Sequence, residues 1–429
     1  MQFDIDKDQI VSDKIYKNSK FKPGDKILFK RGEIWYEKLY VLSSGIKNNP
    51  IMFGSYGSGE RPIISGSQCF SSKCGSEIIW EKVNDSMFKL KVESDVSVVT
   101  KNEKPLTFVS WEPNKDNFDK MIPDSSLFDY ENKILYLWLN NDDSPNNYTI
   151  RGSVVDVVVK PINSEYFIIK DFEIVYAAST CVKPKNIKHA IFENLEIHNC
   201  GGLWDSDAEF YYGNGITITF NSEDVIIQNN TIYDIYDSAV SPQLFYESNL
   251  LLNNILIKNN IMYNAPHSVV EITNWADNSL MKNILVEDNK IYNNGNSFSE
   301  KYNLNKPHGG PGILITIGLD KRSKIQNVKI VNNEIFNSTL GGIAVGLNSG
   351  PVEITNNNIH DNKGSGIIIF DDKKPTITEV YIRNNSITNN ADDILAFEEL
   401  KVVVDNNNIS NNGNLVLIQQ VEKYSKTLS

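Results

Sequence analysis

The chain has 429 residues, with 42 Lys and Arg against 54 Asp and Glu, a formal charge of -12 and 40% hydrophobic residues. That acidity argues against a nucleic-acid binder, which needs a basic face to neutralise phosphates. The apolar content is too high for disorder, and no apolar run reaches the roughly 20 residues that span a bilayer. The opening MQFDIDKDQI lacks the basic and apolar segments of a signal peptide. Residues 4–20 read as a short amphipathic helix, a suitable cap for whatever follows. Four cysteines (Cys69, Cys74, Cys181 and Cys200) are too few for a disulfide scaffold. Cys69 and Cys74 could close one small loop, and neither has the Cys or His neighbours of a zinc site. Isolated thiols or one local disulfide are expected.

After the cap, FKPGDKILFKRGEIWYEKLYV and NPIMFGSYGSGERPIISGS give short alternating runs broken by turn residues. Residues 1–66 therefore read as a cap with the first strands. Over 67–152 the pattern changes to apolar runs at 77–80, 88–92, 106–110 and 135–139, joined by turn-rich DYENK and NNDDSPNN. An inserted antiparallel β-subdomain is expected there.

Residues 153–429 form a third unit, marked from 167 onward by a recurring phrase, apolar-x-Asn-Asn-x-apolar-x-Asn/Asp. Examples are IQNNTIYD at 227, IKNNIMYN at 257, IVNNEIFN at 330 and IRNNSITN at 382. The anchor positions are Asp171, Asn194, Asn229, Asn259, Asp288, Asn332, Asn356, Asn384 and Asn406, spaced 22 to 44 residues apart. A constant minimum with variable excess means a compact coil carrying loop insertions. Each coil has three period-two runs, the third being Gly-apolar-x-apolar, as in GITIT at 215 and GILIT at 312. Short alternating runs between Gly, Asn and Asp are strands and tight turns. Three strands per coil, each paired with its equivalent about 4.8 Å above and below, make a parallel β-solenoid. The repeated Asn suits a left-handed turn residue that hydrogen-bonds to its counterparts.

These motifs resemble the right-handed parallel β-helix, or pectin lyase-like, superfamily with its asparagine ladder, over about residues 20–66 and 153–420. The resemblance supplies the handedness. It implies a polysaccharide-active protein of bacterial type whose substrate lies along the Gly-apolar-x-apolar face. It also implies an extracellular or cell-surface location, and a monomer is expected.

Loop lengths agree with that face. Insertions at 199–214 and 293–311 lead into the third strand, and long ones leave it at 244–254, 274–282, 317–327 and 371–378. Aligning Gly215, Ala239, Val269, Gly312, Gly342 and Gly366 places Thr217, Ser241, Glu271, Leu314, Ala344 and Ile368 in one outward row. Glu271 is its only charge. Asp237 and His267 precede the same column by two positions on adjacent coils, and His308 stands four residues before Gly312. Asp237 could orient His267 as a general base, with Glu271 as acid or base and His308 as an alternative proton-transfer group.

On a flat strand, Asp237 and Glu271 would be roughly 14 Å apart at about 3.3 Å per residue. A glycosidase would then need a loop acid beside Glu271, with Asp205, Asp207, Glu209 and Asp277 as candidates. A lyase or epimerase could use His267 or His308. No cofactor or metal is expected, except Ca²⁺ if the chemistry is that of a lyase. Trp204, Tyr212, Trp275 and Tyr302, with Phe210 and Tyr211, are candidate sugar platforms on the trough walls, and Asp205, Asp207 and Glu209 share the first wall. A separate file, His198, Tyr233, Tyr263, Tyr292, Phe336 and His360, reads either as a stacked structural stripe or as a second sugar-binding face.

The expected activity is cleavage of glycosidic bonds of a polysaccharide, by hydrolysis or by elimination. The rival is a non-catalytic glycan-binding surface protein or phage-type receptor binder.

Overall fold

Each repeat folds into three short strands separated by turns, and successive repeats stack. The computed structural model describes residues 2–5, 21–75, 77–113, 117–140, 143–296, 298–299, 309–318, 322–346, 350–370, 379–396, 401–411 and 413. Among these, the stack builds three parallel sheets of 12, 11 and 10 strands. The first runs from Gln2–Ile5 to Lys401–Asp405, the second from Ile34–Trp35 to Asn408–Ser410, and the third from Leu39–Val41 to Asp392–Ala396. One coil shows the order: Ser222–Gln228 in the first sheet, Thr231–Ile235 in the second, Ser238–Leu244 in the third. Inward Ile, Val, Leu and Phe form one continuous core from Ile27 to Ile394. Each such side chain stabilises by roughly 1.5–3 kcal/mol on full burial.

The Asn pair divides its work. Every anchor from Asp171 to Asn406 has a positive φ, between 51° and 63°, a backbone that Asn and Asp tolerate best among non-glycine residues. The residue after it points inward. Asn230, Asn260, Asn289, Asn333, Asn357, Asn385 and Asn407 form a ladder in which each Nδ2 donates to the next Oδ1 at 2.9–3.0 Å. Asn333 also donates to the carbonyls of Val286 and Val331, and its Oδ1 accepts the backbone N–H of Asn289. Leaving one buried polar group unpaired costs about 1–3 kcal/mol. Asn333→Leu should therefore lower the denaturant midpoint by several times the effect of an exposed strand substitution such as Gln326→Leu, read by urea unfolding.

Two sequence expectations change here. Gln2–Ile5 is a strand in parallel register with Lys26–Ile27–Leu28–Phe29, not the start of a helix. Its alternating Phe3-Asp4-Ile5 satisfies the period of a sheet and covers the open edge of Lys26–Lys30. Residues 6–20 of the expected cap lie outside the described residues. The cysteines form two disulfides, Cys69–Cys74 and Cys181–Cys200, rather than at most one. Cys181 and Cys200 belong to consecutive coils and both face the core, so stacking brings together residues that linear spacing keeps apart.

Residues 67–153 carry a four-stranded antiparallel sheet and a five-stranded sheet that is antiparallel except where Thr107–Val109 pairs with Ser125–Asp129. On the outer face of the second sheet the file from His198 to His360 stacks at centroid spacings of 4.8–5.0 Å, with rings within 14° of parallel. Each ring covers the face of the next. The faces a sugar would need are taken, so the stripe stiffens the solenoid.

Candidate active site

The site forms where the second sheet turns into the third. Backbone pairing puts Thr217 beside Ser241, Val240 beside Val270, Glu271 beside Leu314, Leu314 beside Ala344 and Ala344 beside Ile368. Glu271 thus holds its expected place in the outward row. The corner itself is stacked: the Asp237 N–H donates to the Gly213 carbonyl at 3.1 Å, and the His267 N–H to the Asp237 carbonyl at 3.2 Å. On the next coil the Gly310 N–H donates to the Pro266 carbonyl at 2.8 Å. A Cβ on Gly310 would stand 1.5 Å from the His267 carbonyl oxygen, so only glycine fits against the corner.

This strand does not enter the sheet flat. Ala239 and Val240 both belong to the core, as do Val269 and Val270, whereas successive residues of a flat strand face opposite sides. The chain therefore bends at each pair, and the residues flanking it, Ser238 with Ser241 and Ser268 with Glu271, come to the same outer side. The hydroxyls of Ser238 and Ser241 both donate to Glu271 Oε2, at 3.3 and 3.1 Å, and Ser238 and Ser268 share a hydrogen bond of 3.4 Å.

The bend overturns the 14 Å separation of Asp237 and Glu271. His267 Nδ1 lies 3.7 Å from Asp237 Oδ1 and 3.9 Å from Glu271 Oε1. One donor atom of each of Asp237, His267 and Glu271 lies within 4.8 Å of the others. No loop acid is needed to give Glu271 a carboxyl partner. The Glu271 side chain is 11% exposed, that of Asp237 23% and that of His267 46%, so the imidazole is the outermost of the three. Burial pushes the Asp237 carboxyl up to about 6. The nearby His267 opposes that shift, Glu271 adds to it, and a backbone bond at Gly213 lowers it.

Among the described residues this is the one cluster with three potential metal donors. Atoms no more than 4.8 Å apart share a centre within 4.8/√3, or about 2.8 Å, of each, against about 2.0–2.2 Å for zinc ligands. Two carboxylates and an imidazole do not make the six to eight oxygens that Ca²⁺ takes.

The other candidates distribute around this corner. Leu203–Asp205 and Phe210–Tyr212 form an antiparallel hairpin. Trp204 packs against Trp111 and Tyr211, with centroids 6.0 and 5.0 Å away. The Tyr211 hydroxyl accepts the Trp111 N–H at 2.6 Å and donates to the Trp111 carbonyl at 2.9 Å. This wall is thereby tied to the 67–153 sheets. Tyr212 is half-buried, which raises its phenol pKa against a hydrogen bond to Ser179. Asp205 accepts the N–H groups of Asp207 and Ala208 and shapes the hairpin turn, while Asp207 and Glu209 are exposed. Asp277 pairs with Arg322 at 3.1 Å and is held below the usual carboxylate range by it. Trp275 is 43% exposed at the far end of the Glu271 strand. His308 and Tyr302 lie outside the described residues.

Ser241 belongs to the outward row read from sequence, whereas Ser238 and Ser268 stand outside it, although a signal for them exists. Ser238-Ala-Val-Ser241 and Ser268-Val-Val-Glu271 repeat one pattern on adjacent coils, and two apolar residues between polar ones mark the bend.

The sequence matches the family described as "Right handed beta helix region" over residues 139–316 and 316–426. The chain belongs to that β-helix family. No curated protein sequence matches it. Among solved structures, this β-helix is similar to one titled "Glycoside hydrolase", at 9% identity and a TM-score of 0.59, over 91% of this chain and 90% of the other. It is similar to XylC in complex with xylose at 14% identity and a TM-score of 0.57, over 96% and 83%. It is also similar to pectate lyase Pel9A at 13% identity and a TM-score of 0.50, over 93% and 73%. At such identities the likeness establishes the fold. No helix among the described residues is long and apolar enough to cross a membrane.

Proposed function

We propose that this β-helix protein cleaves glycosidic bonds of a polysaccharide by hydrolysis, at the corner formed by Asp237, His267 and Glu271. The observation that carries the reading is the pair of carboxylates with oxygens within 4.8 Å of one another. Retaining glycosidases hold their two carboxyl groups about 5–5.5 Å apart, and inverting ones about 6.5–9.5 Å apart to admit a water. The closer spacing favours a double displacement with retention.

The environments separate the two roles. Asp237, raised to about 6, keeps a proton to give to the leaving oxygen. Glu271 has its Oε2 held by two serine hydroxyls, which leaves Oε1 to attack the anomeric carbon. In the first step the C–O bond to Glu271 forms, the glycosidic bond breaks, and the Asp237 proton goes to the departing sugar. In the second, Asp237 takes a proton from water, whose oxygen displaces Glu271. His267, between the carboxylates and facing solvent, favours the ionised form of Asp237 after transfer. The two disulfides fit an oxidising, extracytoplasmic location.

A polysaccharide panel tests the reading. New reducing ends without absorbance of an unsaturated uronate are expected. Reducing ends together with that absorbance would replace hydrolysis by elimination, with His267 as the base. Binding without either product would make the protein a glycan-binding one.

A further inference from the structure

The third sheet carries two lysines on the outward row that leads to Glu271. Val159 pairs with Val182 and Ile162 with Lys185, so Lys160 and Lys183 stand directly opposite each other on adjacent strands, about 4.8 Å apart at the backbone. Like charges so placed repel and destabilise a sheet. Each lysine is followed by a proline, Lys160-Pro161 and Lys183-Pro184, which holds it in the extended region.

Both side chains are half-buried, and no ion pair or hydrogen bond engages either ammonium among the described residues. Asp156, the carboxylate that acts on both by charge, is taken by Lys38. Three ammonium groups therefore share one carboxylate. Burial first, and then Lys160, pull the Lys183 pKa down, and Asp156 does not restore it. A pair held in this way lacks an anion.

Its position says which anion. Val182 pairs with Ile216, Ile216 with Val240 and Val240 with Val270. Lys183 is thus three strands from Glu271 along one row, about 14 Å at strand spacing. A glycan threaded along the sheet would place a unit over the lysines a few sugars from the scissile bond.

We propose that Lys160 and Lys183 form an anion subsite that binds an acidic group of the glycan, a uronate carboxylate or a sulfate ester. The proposal rests on the reading that the glycan lies along the third sheet. Its test is separable from cleavage because it measures binding.

In a Glu271→Gln background, binding of polygalacturonate, dextran sulfate and neutral xylan is compared by calorimetry for Lys183, Lys183→Met and Lys183→Arg. Loss of one charge-assisted contact should weaken acidic-glycan binding about tenfold in Lys183→Met, with Lys183→Arg close to the parent. Binding of polygalacturonate alone assigns a carboxylate and of dextran sulfate alone a sulfate ester, while binding of both assigns charge as the shared feature. A second readout covers the folded state: inorganic sulfate should raise the unfolding midpoint of the full chain more than chloride at equal ionic strength, and Lys183→Met should lose that difference. Equal affinity for neutral and acidic glycans, or unchanged acidic binding in Lys183→Met, overturns the subsite. Lys183-dependent binding with no cleavage by the Glu271 chain keeps the subsite and discards the hydrolase. Cleavage of neutral xylan indifferent to Lys183 does the reverse.

Discussion

Glu271→Gln should abolish turnover, lowering kcat on the responsive polysaccharide by at least the roughly 10²–10⁴-fold that one acid–base group supplies, while melting and circular dichroism stay close to wild type. The amide keeps the shape and can still accept from Ser238 and Ser241, but it cannot attack. Glu271→Ala gives a sharper result. Removal of the nucleophile opens room beside Asp237 for azide, and added azide should restore cleavage with a glycosyl azide of opposite anomeric configuration as product. That product comes from direct displacement on a face no longer occupied by the enzyme's carboxylate. Full activity of Glu271→Gln would remove this corner from the mechanism.

Asp237→Asn should lose activity by a similar factor on natural glycans and far less on an aryl glycoside whose leaving group needs no proton. In the parent protein, kcat/KM should fall as pH rises through about 6, because the acid form is the working one. The stability contribution of this carboxyl should move in the same sense as activity. The Asp237 carboxyl is raised from 3.8 to about 6 in the folded protein, so above its ordinary pKa the unfolded chain gives up this proton more readily than the folded one. Its contribution is therefore fully favourable below about 3.8 and lost as pH rises to about 6.

The difference in pKa corresponds to about 3 kcal/mol at 1.36 kcal/mol per unit, shared with His267 and Glu271. Asp237→Asn escapes that cost and should exceed wild type in denaturant stability at pH 8 by about 1–3 kcal/mol, with the gap closing toward pH 4. A gap that instead widened on acidification would mean that Asp237 is ionised at low pH and is no proton donor.

The architecture was legible in the sequence because its causes are local. A left-handed turn residue needs Asn or Asp, an alternating run needs one face buried, and both recur at every coil. From these alone came the solenoid, the register that places Glu271 between Ser241 and Leu314, and the pairing of Asp237 with His267 across adjacent coils. The same local reasoning failed at the chain start, where Gln2–Ile5 adds a strand because an open sheet edge is available to it.

Tertiary structure alone decided how close the functional groups come. Distances taken along an ideal strand kept Asp237 and Glu271 apart, whereas two successive core residues bend the chain and fold the flanking side chains together. Cys181 and Cys200 meet for a related reason, since both point inward from stacked coils. Trp204 is likewise held by Trp111 of the inserted sheets, a contact that no periodicity within the repeats encodes. Spacing along a sequence fixes which residues share a row; the angle at which the backbone enters that row is set by packing, and it determines whether two carboxylates can work on one bond.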